Sequence, residues 1–475
     1  MSPRKGRGEL APEARPALLR KLGVFDSTMM MMGIVIGSGI FTTTGIIAQY
    51  APSPALLLGV WLLGGLITLA GAFAFAELGT AMPEAGGHYV YLREAYGALA
   101  GFLFGWMAFW VSMTGSIAAL AVAFAEYFSF FFPSLGTDVE LLSVPVSLGP
   151  ASFVYSLSAG QIVAVVVLLV LSAINCIGVG LGAKIANALT AVKIGTLLAL
   201  AGFAFTVGDG GSVDMTLNPT GMNLSETIVG IGLALIAASW AFDGWNNINY
   251  VAGEIKDPAR ALPVALVLGV SAVTFLYVVT NLVYLYALPI GEMTGVVRIA
   301  EAAASALFGG QMATIISLAV MVSVFGALHG TILVGPRIYY AMARDGLFFE
   351  GVSRVHQRYR TPIAAISLQA AWATLLTLSG TFEQLFTFVM FSQLIFWVAT
   401  VWSVFTLRRK RPELARPYKT FGYPWTPSLF IVLTAGILLN TLVERPVESI
   451  AGLTLTAIGI PAYYHWRRGE PEPPT

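Results

Sequence analysis

Apolar runs of about 20 residues recur along almost the whole chain, and they leave it few ways to fold. A run of that length matches the hydrocarbon core of a bilayer, where a helix satisfies all of its own backbone groups. Composition agrees. Fifty-seven per cent of the 475 residues are hydrophobic and 11% are charged, against about 25% charged in soluble domains. The mean hydropathy is +0.78. Twenty-six Lys and Arg against 25 Asp and Glu give a net charge of +1, so no basic field points to nucleic acid. The single cysteine, Cys176, excludes an internal disulfide framework and a Cys-rich metal site, and the four histidines are scattered. No metal or cofactor is expected. The chain reads as a polytopic membrane protein.

Twelve spans are predicted, near 24–47, 54–81, 98–132, 159–177, 183–207, 225–252, 261–288, 310–343, 363–380, 384–407, 424–443 and 447–466. Residues 1–23 are basic and lack a cleavable apolar core, so they read as a cytosolic tail rather than a signal peptide. Residues 467–475 read as a second cytosolic tail, and the longest connection, 133–158, is too short for a soluble domain. With the N-terminus inside, all but three of the Lys and Arg residues fall on the cytosolic side, including the run Arg408, Arg409, Lys410 and Arg411. Only Arg298 and Arg445 fall outside, and Lys193 lies within the fifth span. This satisfies the positive-inside rule for a multi-pass protein of the cell membrane.

Two spans are interrupted. The first, MMMMGIVIGSGIFTTTGIIA, concentrates Gly33, Gly37, Ser38 and Gly39 at mid-depth. These weak helix formers permit unwinding and let a ligand approach the backbone; the alternative is a small-residue packing face. The sixth, LIAASWAFDGWNNINYVAGEIKDPARALP, carries Asp243, Gly244, Asn246, Asn247 and Asn249. A carboxylate and three amides at that depth cost several kcal/mol unless they face a wet cavity or partners. Each break opens a five-span half, 24–207 and 225–407, with 424–466 as an addition. Paired breaks point to an inverted-repeat secondary transporter.

The sequences GSGIF (37–41), AELGTAMPEAGGHYVYLREAYG (76–97), FDGWNNINYVAGEIKDPARALP (242–263), PRIYYAMARDGLF (336–348) and RTP (360–362) resemble the amino acid–polyamine–organocation (APC) superfamily. They resemble its L-amino acid transporter branch and the bacterial relatives of that branch most. The resemblance runs over nearly the whole chain. It implies an all-α fold of twelve transmembrane helices, a 5+5 inverted repeat of the LeuT type, with helices 1 and 6 discontinuous.

A zwitterion needs a positive partner for its carboxylate and a negative one for its ammonium, and a broken helix supplies both from its ends. The N–H groups of Ser38, Gly39 and Ile40 are expected to meet the carboxylate. The carbonyls of Val35, Ile36, Trp240 and Ala241 are expected to meet the ammonium, with Gly37 giving close access. The resemblance implies the same arrangement, with Trp240 as an aromatic gate; lipid-facing or packed positions are its alternatives. Asp243 departs from the heavy-chain-dependent animal transporters, where a small residue stands. It draws the substrate ammonium, accepts from Asn246 or Asn247, faces the cytosolic vestibule, or selects cationic substrates. Gly115 and Ser116 of span three are further lining candidates.

Lys193 lies about nine residues past Lys184, roughly 13 Å along a helix, too deep to snorkel easily. Proton-coupling and pre-organising roles are both open. The resemblance places it at the lysine that fills the second sodium site of sodium-coupled relatives, bridging spans one and eight, and so implies sodium independence. Ser323 lies on span eight where such a bridge lands. His329 reads as packed or vestibular rather than as a ligand. Glu77 is expected to bind loop backbone or the 84–97 segment, and Glu126 to be wetted. Glu254, Asp257, Arg260, Arg344 and Asp345 form a possible inner salt-bridge network, against the usual reading of simple solvation.

The function expected is sodium-independent exchange of neutral L-amino acids by alternating access. Proton symport, a cationic amino acid or polyamine carrier, and a membrane-embedded enzyme or receptor are the alternatives, and the last lacks any catalytic cluster or sensory domain. Relatives that pair with a glycoprotein heavy chain use a cysteine between spans three and four; residues 133–158 contain none, so no covalent heavy-chain subunit is expected.

Overall fold

The computed structural model describes residues 20–467 apart from 85, 149–150, 178–181, 214, 216–220, 355, 357–358 and 360. Both expected tails therefore lie mostly outside the described residues, as do Arg358 and Arg360. The first span is α1 (Val24–Val35), α2 (Gly39–Thr42) and α3 (Thr44–Tyr50). It is followed by α4 (Pro54–Ala81), the short α5 (His88–Tyr96), α6 (Ala98–Met107) and α7 (Met113–Phe128). Then come α8 (Ala159–Ile177), α9 (Gly182–Val207) and α10 (Leu224–Phe242), which passes through a break into a 3-10 segment, Asn247–Glu254. The remainder is α11 (Pro258–Ala287), α12 (Ile290–Met293), α13 (Ile299–Phe308), α14 (Gly310–Val334), α15 (Pro336–Arg344), α16 (Ile363–Ser379), α17 (Phe382–Lys410), α18 (Trp425–Glu444) and α19 (Pro446–Arg467).

Among the described residues, ten helical segments are long and apolar enough to cross a membrane. The other two expected spans are α16, 17 residues long, and α19, whose ends carry Glu448, His465 and Arg467; neither is among the ten. The helix starts follow local chemistry. Ser53 accepts from the Leu56 N–H ahead of Pro54 at the first turn. Asn223 with Glu226, and Thr381 with Gln384, form reciprocal capping boxes. One connection departs from the all-helical expectation. Residues β1 (Glu140–Leu148) and β2 (Ala151–Ser158) pair as an antiparallel hairpin, with Val144 opposite Tyr155 and Ser143 opposite Ser156. Alternating apolar and small polar residues there suit a strand pair better than a coil.

The first span packs among α9, α11 and α14, and α4 packs along α11. Both ends of the described chain lie on one face. The Lys21 N–H donates to the Glu254 carbonyl (2.9 Å), and Leu22 bridges to Ile255. On α19, Trp466 packs on Phe348 and Phe349. That face is laced by ion pairs. Glu77, with a side chain 3% exposed, is clasped by Arg408 (2.9 and 2.6 Å) and receives the Thr420 N–H and hydroxyl (2.7 Å each). Arg93 meets Asp345 at 2.6 Å, and Arg337 meets Glu254 at 3.5 Å. The opposite face carries the β1–β2 hairpin and a smaller network, in which Arg445 donates to Glu383 (2.8 Å) and to the Tyr50 hydroxyl (2.5 Å).

Candidate functional site

The first break spans Ile36, Gly37 and Ser38, and its freed carbonyls are taken by side chains from other spans. Lys193, buried on α9, donates from Nζ to the Gly33 carbonyl (2.8 Å) and the Ile36 carbonyl (2.9 Å). The Ser323 hydroxyl on α14 donates to the same Ile36 carbonyl (3.1 Å). Spans one, five and eight thus meet at one oxygen. Lys193 reaches span eight through this shared acceptor, and Gly326 leaves room beside its Nζ. The Tyr277 hydroxyl on α11 joins the two breaks, lying 2.9 Å from the Val35 carbonyl and 3.0 Å from the Ala241 carbonyl.

The second break begins at Asp243, whose backbone turns extended (ψ 149°), and passes through Gly244 at φ +91°. Only glycine takes that conformation without strain, and a Cβ there would meet the Ile34 side chain at 2.5 Å. The two breaks touch at Gly39, where a Cβ would collide with the backbone of Ala241. Gly39 is therefore required by close approach of the two spans, as the packing alternative also has it, while the chain is unwound between Val35 and Gly39.

Between the breaks lies a cavity. Ile34, Val35, Gly37, Ser38 and Gly39 line it from the first span, and Trp240, Asp243, Gly244 and Asn247 from the sixth. Met113, Ser116 and Leu120 of α7 and Thr331 of α14 close it. Of the residues singled out in the sequence, Val35, Gly37, Ser38, Gly39, Trp240 and Asp243 come together on its wall. Ile36, Ile40 and Ala241 are buried beside it without lining it. Of the four carbonyls expected to meet an ammonium, Ile36 accepts from both Lys193 and Ser323, Trp240 from the Asp243 N–H and Val35 from the Gly37 N–H, while the single Tyr277 hydroxyl proton serves Val35 or Ala241, one at a time. A carbonyl oxygen has two lone pairs, so Trp240 and Ala241 each retain one, and Val35 does so when Tyr277 donates to Ala241. Gly39 and Ile40 begin α2, where no earlier turn of the same helix supplies acceptors for their N–H groups.

Trp240 is 5% exposed and donates from Nε1 to the Ser38 hydroxyl (3.2 Å); its ring packs on Phe382 and Phe386, which removes the lipid-facing alternative. Asp243 lines the cavity with no Lys or Arg beside it on that wall, and its Oδ2 lies 3.4 Å from the Ser116 hydroxyl. Ser116 is thus a lining residue as expected, whereas Gly115 faces Val389 of α17. The sequence reading did not single out Tyr277 or Thr331. Asn247 it did name, as a mid-depth amide needing a wet cavity or a partner, and the structure places it on the cavity wall.

Elsewhere, Glu77 does bind loop backbone, at Thr420, and its main partners are Arg408 and Arg416. The 84–97 segment instead places Arg93 on Asp345. Glu126 accepts from the Thr137 hydroxyl (2.6 Å), and His329 meets the Asn175 amide (2.9 Å). Of the inner network, Asp345 and Glu254 are paired, and Arg344 lies over the Tyr340 ring. His88 is buried, meets the Thr400 hydroxyl at 2.9 Å and stacks on Phe104; burial holds its ring down to about 3, so it is neutral.

The profile of the family described as amino acid permease matches residues 22–458. The serine/threonine exchanger SteT of Bacillus subtilis (strain 168) is 31% identical over 95% of this chain and 98% of that protein. The large neutral amino acids transporter small subunit 2 of Homo sapiens is 31% identical over 97% of this chain and 84% of that protein. The Asc-type amino acid transporter 1 of Mus musculus is 29% identical over 95% of this chain and 83% of its own length. A helical chain with two mid-membrane breaks around a central cavity, matched end to end in this way, is a multi-pass transporter of amino acids and not an enzyme, and it belongs to the amino acid permease family.

Proposed function

We propose that the chain exchanges neutral L-amino acids across the cell membrane by alternating access, without sodium. The central cavity supports the substrate site. The carboxylate sits at the N–H groups of Ser38, Gly39 and Ile40, and the ammonium takes the free lone pairs of Trp240 and Ala241, and that of Val35 when Tyr277 donates to Ala241, with Asp243 opposite. Trp240 covers the substrate, and rocking of one helix bundle against the other opens the cavity to each side in turn. The observation that carries sodium independence is the Lys193 amine, hydrogen-bonded to the carbonyls of Gly33 and Ile36 and so occupying oxygens that a mobile cation would need.

The arrangement proposed has twelve spans in two inverted halves, 24–207 and 225–407, with both termini cytosolic. Support comes from the Lys and Arg distribution and from the shared face of the two described ends. The lack of cysteine in 133–158 supports action without a covalently attached heavy chain. Proteoliposome uptake of labelled serine or leucine in sodium-free buffer tests the reading. Stimulation by unlabelled amino acid on the far side is expected. Ser38→Trp, which fills the cavity, is expected to abolish uptake with normal insertion; undiminished uptake in that variant removes the site assignment. A second reading is favoured by Asp243, an acid on the cavity wall without a facing base: a carrier of cationic amino acids or polyamines, or a proton symporter. Competition by arginine, lysine or putrescine, or a requirement for an inward proton gradient, selects it instead.

A further inference from the structure

We propose that a second amino-acid subsite lies on the face opposite the termini, built on Arg445 and Glu383; it rests on the amino-acid reading given above. A small cleft opens there, narrow in this conformation because the Arg445–Glu383 pair lies across its polar wall. Its polar wall is Tyr50 at the end of α3, Glu383 and Thr387 on α17, and Arg445 between α18 and α19. Its apolar wall includes Ile236 and Ala237 of α10.

The charges match a zwitterion. Arg445 uses Nη2 for Glu383 and Tyr50, and the rest of its guanidinium fork is available to a carboxylate. Glu383 Oε1 holds Arg445, and Oε2 is available to an ammonium. The two side chains are 33% and 36% exposed, so loosening their pair costs little, unlike Glu77, whose clasp at the other face is sealed at 3%. The position also fits. Phe386 lines this cavity, Trp240 lines the central one, and their rings pack at 6.0 Å, so one aromatic pair separates the two. A substrate held between Arg445 and Glu383 waits directly behind the residue that must move to admit it.

Equilibrium binding of labelled L-serine and L-leucine to the purified full chain, run beside proteoliposome uptake, tests this. Two components are expected in the native protein. Glu383→Gln and Arg445→Gln are each expected to weaken one component by about tenfold or more and to keep the other. Ser38→Trp is expected to do the reverse. Thr387→Trp fills the second cavity from a neutral position with the ion pair intact, and is expected to remove the same component as the charge variants even where those fold poorly. A single component unaffected by Thr387→Trp, with uptake intact, overturns the subsite and leaves the transport reading standing. Neither component and no uptake of either amino acid overturns both.

Discussion

At the first break, side chains from three other spans meet the freed carbonyls: Lys193 and Ser323 at Gly33 and Ile36, and Tyr277 at Val35. At the second, the backbone mostly satisfies itself. The Asn247 N–H returns to Gly244, and the Asn249 N–H to Asn246, while several side chains are left over. Both polar ends of the Asn246 amide, Asn247 Oδ1, Trp245 Nε1 and the Tyr250 hydroxyl are buried without a partner in good geometry among the described residues, Asn246 lying beside His88. Buried polar groups are as a rule satisfied, by protein groups or by ordered water. The contrast is in how the two breaks are held. The first is tied across the bundle by side chains of other spans, and the second is held chiefly by its own backbone.

The largest test of this contrast is where the breaks touch. Gly39→Val drives a side chain into the Ala241 backbone, so uptake should fall below detection while the chain still inserts; uptake above a tenth of normal would mean the contact is loose. Next is Lys193→Met. It strips a buried amine from two carbonyls and should lower stability by roughly 2–4 kcal/mol, read as a fall in the unfolding midpoint in detergent. Tyr277→Phe removes one hydroxyl shared between the breaks and should cost about 1–2 kcal/mol, with uptake slowed several-fold. The smallest stability effect, and the sharpest for the comparison, belongs to Asn246→Leu. Because this amide lacks a well-formed bond here, stability should change by no more than about 0.5 kcal/mol, or rise, while uptake slows. A loss of stability matching that of Lys193→Met would erase the distinction.

Much of this was legible in the chain. Glycines and a serine at mid-depth of span one, an Asp-Gly pair followed by amides in span six, and one lysine deep in span five are all anomalies against an apolar background, so the bilayer makes them visible. Tyr277 was not legible, because a tyrosine among Leu, Val and Thr in span seven carries no signal until its hydroxyl finds two carbonyls. Thr331 is one threonine among many. The Glu77–Arg408 clasp joins residues 331 positions apart, and the hairpin was hidden inside a segment judged only by its length. Gly115 failed because position along a helix does not fix which neighbour it faces, and Val389 occupies that side.

The lysine on α9 also bears on how the protein is made. A lysine at the centre of a helix costs about 2.5–3.5 kcal/mol on the scale by which the translocon sorts segments into the bilayer. Its relief comes from carbonyls of Gly33 and Ile36, in a segment synthesised some 160 residues earlier. The apolar residues of span five offset that cost during insertion, and the lysine gains its partners only once spans one and five lie side by side, so this contact belongs to assembly of the bundle rather than to insertion of the span.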